Sequence, residues 1–250
     1  MLEIIISGII QGIFEWLPVS SEGLISLLLT NLGYSLQQSV DVALFLHIGT
    51  LLATISFFWK DIKEIAQPKT AKAVKELSFI IWTTIISLLI GGPLYIAIQF
   101  LSVNFADKVN LLIGSFLIIT GLIQLFRKNF NTRNYNSVDR NDGIITGVAQ
   151  GFSILPGISR SGSTTLALII KGFNVESALK LSFFASIPVI FIAQLASGLK
   201  NGFMFNPVYL IGALVAFAIG RITIKYLLNI AEKINFSTFC IVFGVLAILL

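Results

Sequence analysis

Two polar stretches stand out in an otherwise apolar chain: QGIFEWLPVSSEG over residues 11–23 and LPGISRSGST over residues 155–164. The first sets Gln11 and Glu15 one helical turn apart, so both project from the same side of a helix. Pro18 then interrupts the helix, and Ser20 or Ser21 is suited to cap the next one. The second places Arg160 between Ser159 and Ser161, with Thr164 one turn further on. A helix starting at such serines points unpaired N–H groups, and the positive end of its dipole, into the space before it. Two such N-termini facing each other make an anion site. Arg160 adds a planar, permanent charge suited to phosphate oxygens.

The carboxylates beside this site complicate it. Glu15 and Glu22 would repel a phosphate unless a cation intervenes or one of them is protonated. With Mg²⁺ or Ca²⁺ between them, carboxylate and phosphate become joint ligands. Alternatively Glu15 acts as a general base, with Ser21 as the nucleophile of a phosphoryl transfer. Plainer readings stand beside each of these. Arg160 can simply pair with Glu15, and Ser20, Ser21, Ser159 and Ser161 can serve only as caps. Gln11 and Gln150 can bond across a helix interface, and Glu22 can sit at an aqueous mouth. His47, the sole histidine, lies in FLHIGTLLA and reads as a packing residue or as a participant in the chemistry.

Such residues need elements to hold them, and the composition says which. Hydrophobic residues make up 56% of the 250 and charged residues 12%, with a mean hydropathy of +0.91. A soluble domain carries roughly 25% charged residues, so this is the composition of a polytopic membrane protein. The net charge of +5 therefore reports membrane orientation and gives no reason to expect nucleic acid. Cys240 is the only cysteine, which excludes an intrachain disulfide. The opening MLEIIISGIIQG lacks a basic stretch and an A-x-A site, so the first apolar segment is expected to be retained.

Apolar spans are expected over residues 41–59, 78–100, 109–126, 179–199, 207–228 and 236–250, the last one short. Residues 2–29 and 143–171 do not fit as spans, because Pro18 to Gly23 and Pro156 to Gly162 break them. Each half is about a dozen residues, roughly 18 Å of helix against a hydrocarbon core of about 30 Å. A shift of 139 positions lays Gly8 on Gly147, Gln11 on Gln150, Gly12 on Gly151, Ser20 on Ser159 and Gly23 on Gly162. The expected fold is thus an all-α integral membrane protein of two inverted-topology repeats, each a re-entrant helical hairpin plus three transmembrane helices. It forms a single membrane domain over 1–250, with repeat one at about 1–127 and repeat two at about 140–250.

Loop charges agree with that topology. Lys60, Lys63, Lys69, Lys72, Lys75, Arg127, Lys128, Arg133, Arg140, Lys171, Lys180, Arg221, Lys225 and Lys233 fall on one side, and only Lys108 and Lys200 on the other. The positive-inside rule makes the first side cytoplasmic and puts both termini outside. Lys60 to Lys75 reads as a solvated loop, and Trp59 and Trp82 as parts of an aromatic belt.

The two stretches together resemble the signature regions of the undecaprenyl-diphosphate phosphatase family, the bacitracin-resistance membrane proteins. Gln11, Glu15, Pro18, Ser20 and Ser21 are similar to that family's (E/Q)xxxE element followed by PVSS, and Pro156 to Thr164 to its PGxSRSGxT element. The similarity runs the full chain, including HIGTLLA at His47. The resemblance implies a plasma-membrane phosphatase, its site open to the outside. It would remove the terminal phosphate of a polyprenyl diphosphate with a divalent cation, Mg²⁺ or Ca²⁺, and so recycle a glycan lipid carrier. It implies catalytic roles for Glu15, Ser21 and Arg160, and supporting or phosphate-binding roles for Gln11, Ser159, Ser161 and Thr164, to which the capping Ser20 is added. Glu15 and Glu22 are the candidates for metal or proton duty. Expected partners are the lipid diphosphate and the bilayer, with a homodimer kept open. One departure matters: many members carry a histidine after PVSSxG, and here Leu24 stands in its place. A polyprenyl phosphate carrier or flippase is the rival reading, since inverted repeats with broken helices also build transporters.

Overall fold

The computed structural model describes residues 1–17, 20–101, 133–155, 158–201, 206–230 and 236–249, with scattered positions between 111 and 125. Among these residues every regular element is helical apart from one bridge between Arg133 and Phe173. The protein is an all-α integral membrane protein. Four of its described helices are long and apolar enough to cross a bilayer: Leu36–Phe57, Ala71–Ala97, Val175–Ala196 and Pro207–Asn229.

The chain opens with α1 (Leu2–Phe14) and α2 (Ser21–Asn31), at 13 and 11 residues too short to span. Gly33 then turns the chain with φ +90°, a conformation that glycine adopts without a Cβ penalty. A capping box of Ser35 and Gln38 starts α3 (Leu36–Phe57), earlier than the apolar run alone suggests. After Phe58 the chain forms α4 (Trp59–Ala66) and then α5 (Ala71–Leu101). The lysine-rich stretch from Lys60 to Lys75 is therefore a loop only at Gln67 to Thr70, and helical on either side. Ile62 and Ile65 recur at helical spacing and turn α4's apolar side inward, while Lys60 and Lys63 stay exposed. The expected span over 109–126 lies largely outside the described residues.

The second half opens with a 3₁₀ turn at Tyr135–Ser137 and α6 (Arg140–Phe152), started by a capping box of Asp139 and Asp142. Next come α7 (Arg160–Ile170), Gly172 at φ +89°, and α8 (Val175–Asn201). The chain continues through α9 (Pro207–Ile230) to α10 (Phe236–Leu249), whose 14 residues are short for a span. The limits of α2 and α7, their serine caps, and the left-handed glycines after them recur at the offset that aligns the two sequence motifs.

Helices α3 and α8 are the inner pair: 44% of each apolar window is buried, against 17% for α5 and 28% for α9. Glycines let the short helices approach the long ones. A Cβ on Gly12 of α1 would stand 2.7 Å from Ile219 Cβ of α9, and one on Gly147 of α6 would stand 2.8 Å from Ile86 Cβ of α5. Each broken pair is thus seated against a span from the other half of the sequence. Phe58, Phe183, Phe184 and Ile224 close one apolar core around Trp16, and Ile4, Ile25, Leu29 and Leu46 close another beside α2.

Candidate active site

Helix α1 ends at Glu15, whose N–H still donates to the Gln11 carbonyl at 3.1 Å. The next residue, Trp16, is 1% exposed; its Nε1 donates to Gly12 O at 2.8 Å and its ring meets Phe183 edge-on at 5.3 Å. That wedge fixes the direction in which the chain leaves the helix, and so holds Glu15 inside the bundle. Ser20 caps α2 by accepting from the N–H of Gly23 at 3.1 Å, making Ser21 the first helical residue. Ser159 caps α7 in the same way, accepting from Gly162 N–H at 3.0 Å, and Arg160 comes first.

These choices bring four predicted residues onto the carboxylate of a fifth, Glu15. Glu15 Oε2 accepts from Ser21 Oγ at 2.8 Å and from Gln11 Nε2 at 2.9 Å, and His47 Nε2 stands 3.2 Å away. Glu15 Oε1 forms an ion pair with Arg160 Nη2. Glu15 is only 5% exposed, so its charge depends on these donors and not on water. Arg160 Nη1 is buried without a partner, and so is Gln11 Oε1. Half of the guanidinium fork therefore remains available for an oxygen anion.

The remaining predicted residues surround this centre at different removes. Ser161 donates to the Leu17 carbonyl and stands 3.2 Å from Ser159 Oγ, tying the tip of the second hairpin to that of the first. Thr164 turns away from the carboxylate: its hydroxyl donates to Arg160 O at 2.8 Å and lies 2.6 Å from Ser182 Oγ of α8. Glu22, in the first turn of α2, is half-buried, within electrostatic reach of His47 and Glu15, and makes no hydrogen bond or ion pair among the described residues. The N–H groups of Ser21, Glu22, Arg160 and Ser161 likewise find no partner among the described residues, as expected of first-turn donors. Pro18, Pro156 and Gly157 lie outside the described residues.

One participant carries no signal in the sequence. Thr50 of α3 is buried one turn after His47, and its hydroxyl accepts from Gln11 Nε2 at 3.3 Å. A threonine within an apolar span looks like ordinary packing. Only the approach of α1 to α3 makes it a ligand of Gln11. The counterpart glutamine, Gln150, donates instead to Ser87 Oγ at 3.1 Å and Ala185 O at 3.3 Å, away from the carboxylate.

A divalent cation would find two carboxylates here. Glu15 Oε2 already meets Ser21, Gln11 and His47 and its Oε1 meets Arg160, which makes Glu15 the more encumbered of the two. Among the described residues no group of three or more His, Cys, Asp or Glu could hold an ion unaided. Glu22 is the carboxylate without a partner, so a cation shared with phosphate oxygens would rest there.

Fold and site together define a membrane-embedded helical protein with a polar centre, built on the buried Glu15–Arg160 pair, beside two helix N-termini. A family model described as "Bacitracin resistance protein BacA" matches residues 4–249, and the chain belongs to that family. A protein named undecaprenyl-diphosphatase from Methanococcoides burtonii is 37% identical over 258 residues, covering 99% of this chain and 97% of the relative. Proteins of the same name from Haloarcula marismortui and Halothermothrix orenii are each 34% identical. The first covers 99% of this chain and 96% of its own length, the second 100% and 98%.

Proposed function

We propose that this protein hydrolyses undecaprenyl diphosphate, or a similar long-chain polyprenyl diphosphate, to the monophosphate and inorganic phosphate. Family membership supports the reading, and one contact carries it: the Ser21 hydroxyl donates to a buried carboxylate, Glu15, at 2.8 Å, beside the guanidinium of Arg160. A site that only carried an anion would need the arginine and the helix N-termini, but not a hydroxyl aimed at a base.

In this mechanism Arg160 and the first-turn N–H groups of α2 and α7 bind the diphosphate. Ser21 Oγ attacks the terminal phosphorus and its proton passes to Glu15 Oε2. The bond from phosphorus to the bridging oxygen breaks, and the lipid monophosphate leaves with that electron pair. Water then attacks the phosphoserine: its hydroxyl bonds to phosphorus as the bond to Ser21 Oγ breaks, Ser21 takes back the proton held by Glu15, and the water's other proton leaves with the phosphate. A Mg²⁺ or Ca²⁺ ion, held by Glu22 and the phosphate oxygens, would neutralise charge in the site. Gln11 and Thr50 hold Glu15 in line through their hydrogen bonds.

The same reading places the protein in the plasma membrane with its site facing outward, where it recycles the lipid carrier of envelope glycans and confers bacitracin resistance. Support comes from the basic residues of the segments that the positive-inside rule reads as cytoplasmic. There Lys180 of α8 pairs with Asp61 of α4 at 2.7 Å, and Arg133 pairs with Asp142 of α6 at 2.7 Å. Two inverted repeats account for the shared caps and glycine turns of the two hairpins. The test is phosphate release from C15 and C55 prenyl diphosphates by purified protein, with and without Mg²⁺ or Ca²⁺. Metal-dependent release lost in Arg160→Ala and Glu15→Ala supports the reading. No release by the wild type from either substrate rejects it and favours a carrier of polyprenyl phosphate.

A further inference from the structure

Glu15 is approached by two basic side chains from different elements, Arg160 of α7 at Oε1 and His47 of α3 at Oε2. The ring of His47 is held at both nitrogens. Nδ1 lies 2.7 Å from the carbonyl oxygen of Ala43, one turn earlier in the same helix. A carbonyl only accepts, so Nδ1 carries a hydrogen. Nε2 faces Glu15 Oε2 at 3.2 Å, and a hydrogen must lie between those two atoms as well. Oε2 already accepts from Ser21 and Gln11, and Oε1 meets Arg160, so the carboxyl group is surrounded by donors. The arrangement is that of a carboxylate with an imidazolium.

The two cations are not equivalent. Arg160 has a buried, unpartnered Nη1 and starts the helix whose N-terminus faces the site, so it is the one available to an incoming phosphate. His47 is anchored through Nδ1 on a transmembrane helix and is 13% exposed. We infer that His47 is a positioning residue for the phosphatase reaction, the counter-charge that stays on Glu15 when Arg160 turns to the diphosphate. Without it a buried carboxylate would lose its last cation as substrate binds, and would no longer be held toward Ser21.

The charged groups facing His47 are few. Glu15 comes from the end of α1, Glu22 from α2 and Arg160 from α7. The basic residues of α8 and α9 near α3 lie toward its far end, where Lys180 stands 5.7 Å from the Phe58 ring and Arg221 5.7 Å from the Phe57 ring. The phenol-bearing Tyr209 of α9 packs on Phe45 with ring centroids 6.0 Å apart. On α3 itself, Asp41 accepts from Gln37 at 3.1 Å.

The inference rests on the phosphatase reading, and two measurements separate their fates. His47 is the only histidine, so ring-¹⁵N-histidine labelling gives a single pair of signals from the wild-type protein. Doubly protonated nitrogens at neutral pH are expected, and a neutral ring in the wild type would overturn the inference. In the activity assay, His47→Gln keeps an N–H donor but no charge. It is expected to lower kcat/KM on the order of 10²-fold. It should also abolish the alkaline limb that the wild type owes to losing the His47 proton as pH rises. An active wild type whose pH profile is unchanged in His47→Gln, with the variant still folded by size exclusion, overturns the role alone. A wild type that releases no phosphate sinks the phosphatase reading, and this role with it.

Discussion

Arg160 and Glu15 lie 145 residues apart in the chain and meet as an ion pair deep in the bundle, each less than a fifth exposed. The contact joins the second broken hairpin to the first, so one pair serves both assembly and chemistry. Breaking a buried pair from one side costs about 3–5 kcal/mol where the surviving charge is stranded, and less here because His47 stays beside Glu15. Arg160→Ala is therefore expected to lower the unfolding temperature in detergent and to cut phosphate release on the order of 10²–10³-fold. The double variant Glu15→Gln/Arg160→Gln should recover much of the stability and none of the activity. A stability loss in the double variant equal to the sum of the two single losses would show that the pair is not coupled.

Neighbouring serines separate chemistry from capping. Ser20→Ala removes the cap on Gly23 N–H and should cost about 1 kcal/mol of stability while leaving appreciable turnover. Ser21→Ala removes the hydroxyl facing Glu15 and should reduce turnover on the order of 10³-fold or more at nearly unchanged stability. Thermal unfolding and phosphate release, measured side by side, distinguish the two. A Ser21→Ala variant with wild-type turnover would remove serine as nucleophile.

Thr50→Val keeps the volume of the side chain and deletes the acceptor of Gln11 Nε2. Losing a buried hydrogen bond is worth about 1 kcal/mol, which corresponds to roughly a fivefold drop in kcat/KM. The effect should vanish in a Gln11→Leu background, where the bond is already absent.

Gly147→Val tests the close approach of α6 to α5. The first added carbon would meet Ile86 Cβ at 2.8 Å and Thr83 O at 2.9 Å. Overpacking of this kind costs about 1–3 kcal/mol, read as a lower yield of monodisperse protein. Gly92, whose Cβ would meet nothing within 4 Å, is the control, and Gly92→Ala should behave as wild type.

Metal removal gives the last expectation. Chelation with EDTA should abolish phosphate release, and Mg²⁺ or Ca²⁺ should restore it. Glu22→Gln should raise the metal concentration needed for half-maximal rate without altering the unfolding temperature. A Glu22→Gln variant with unchanged metal dependence would remove Glu22 as the cation's protein ligand.

Much of this site is legible in the sequence because polar residues are conspicuous in an apolar chain. Gln11, Glu15, Ser21 and Arg160 announce themselves by type, and the serines before Gly23 and Gly162 by their capping pattern. His47 and Thr50 are not decided that way, because their roles depend on how α3 is rotated against α1. The division of labour among the serines is also invisible beforehand: any of Ser20, Ser21, Ser159 and Ser161 suits a cap. Charge misleads in one place. Lysines from 60 to 75 read as a loop, whereas Ile62 and Ile65 give α4 an inward-facing edge and Phe58 marks the boundary with α3.

Trp16, pressed against Phe183 and bonded to Gly12, sits one residue from Glu15, while Trp59 is 51% exposed and Trp82 lies under Arg140. The chain contains only these three tryptophans. Replacing the outer two by phenylalanine would leave a single fluorophore at the hinge of the first hairpin. The protein thus carries its own optical gauge of the surroundings of Glu15.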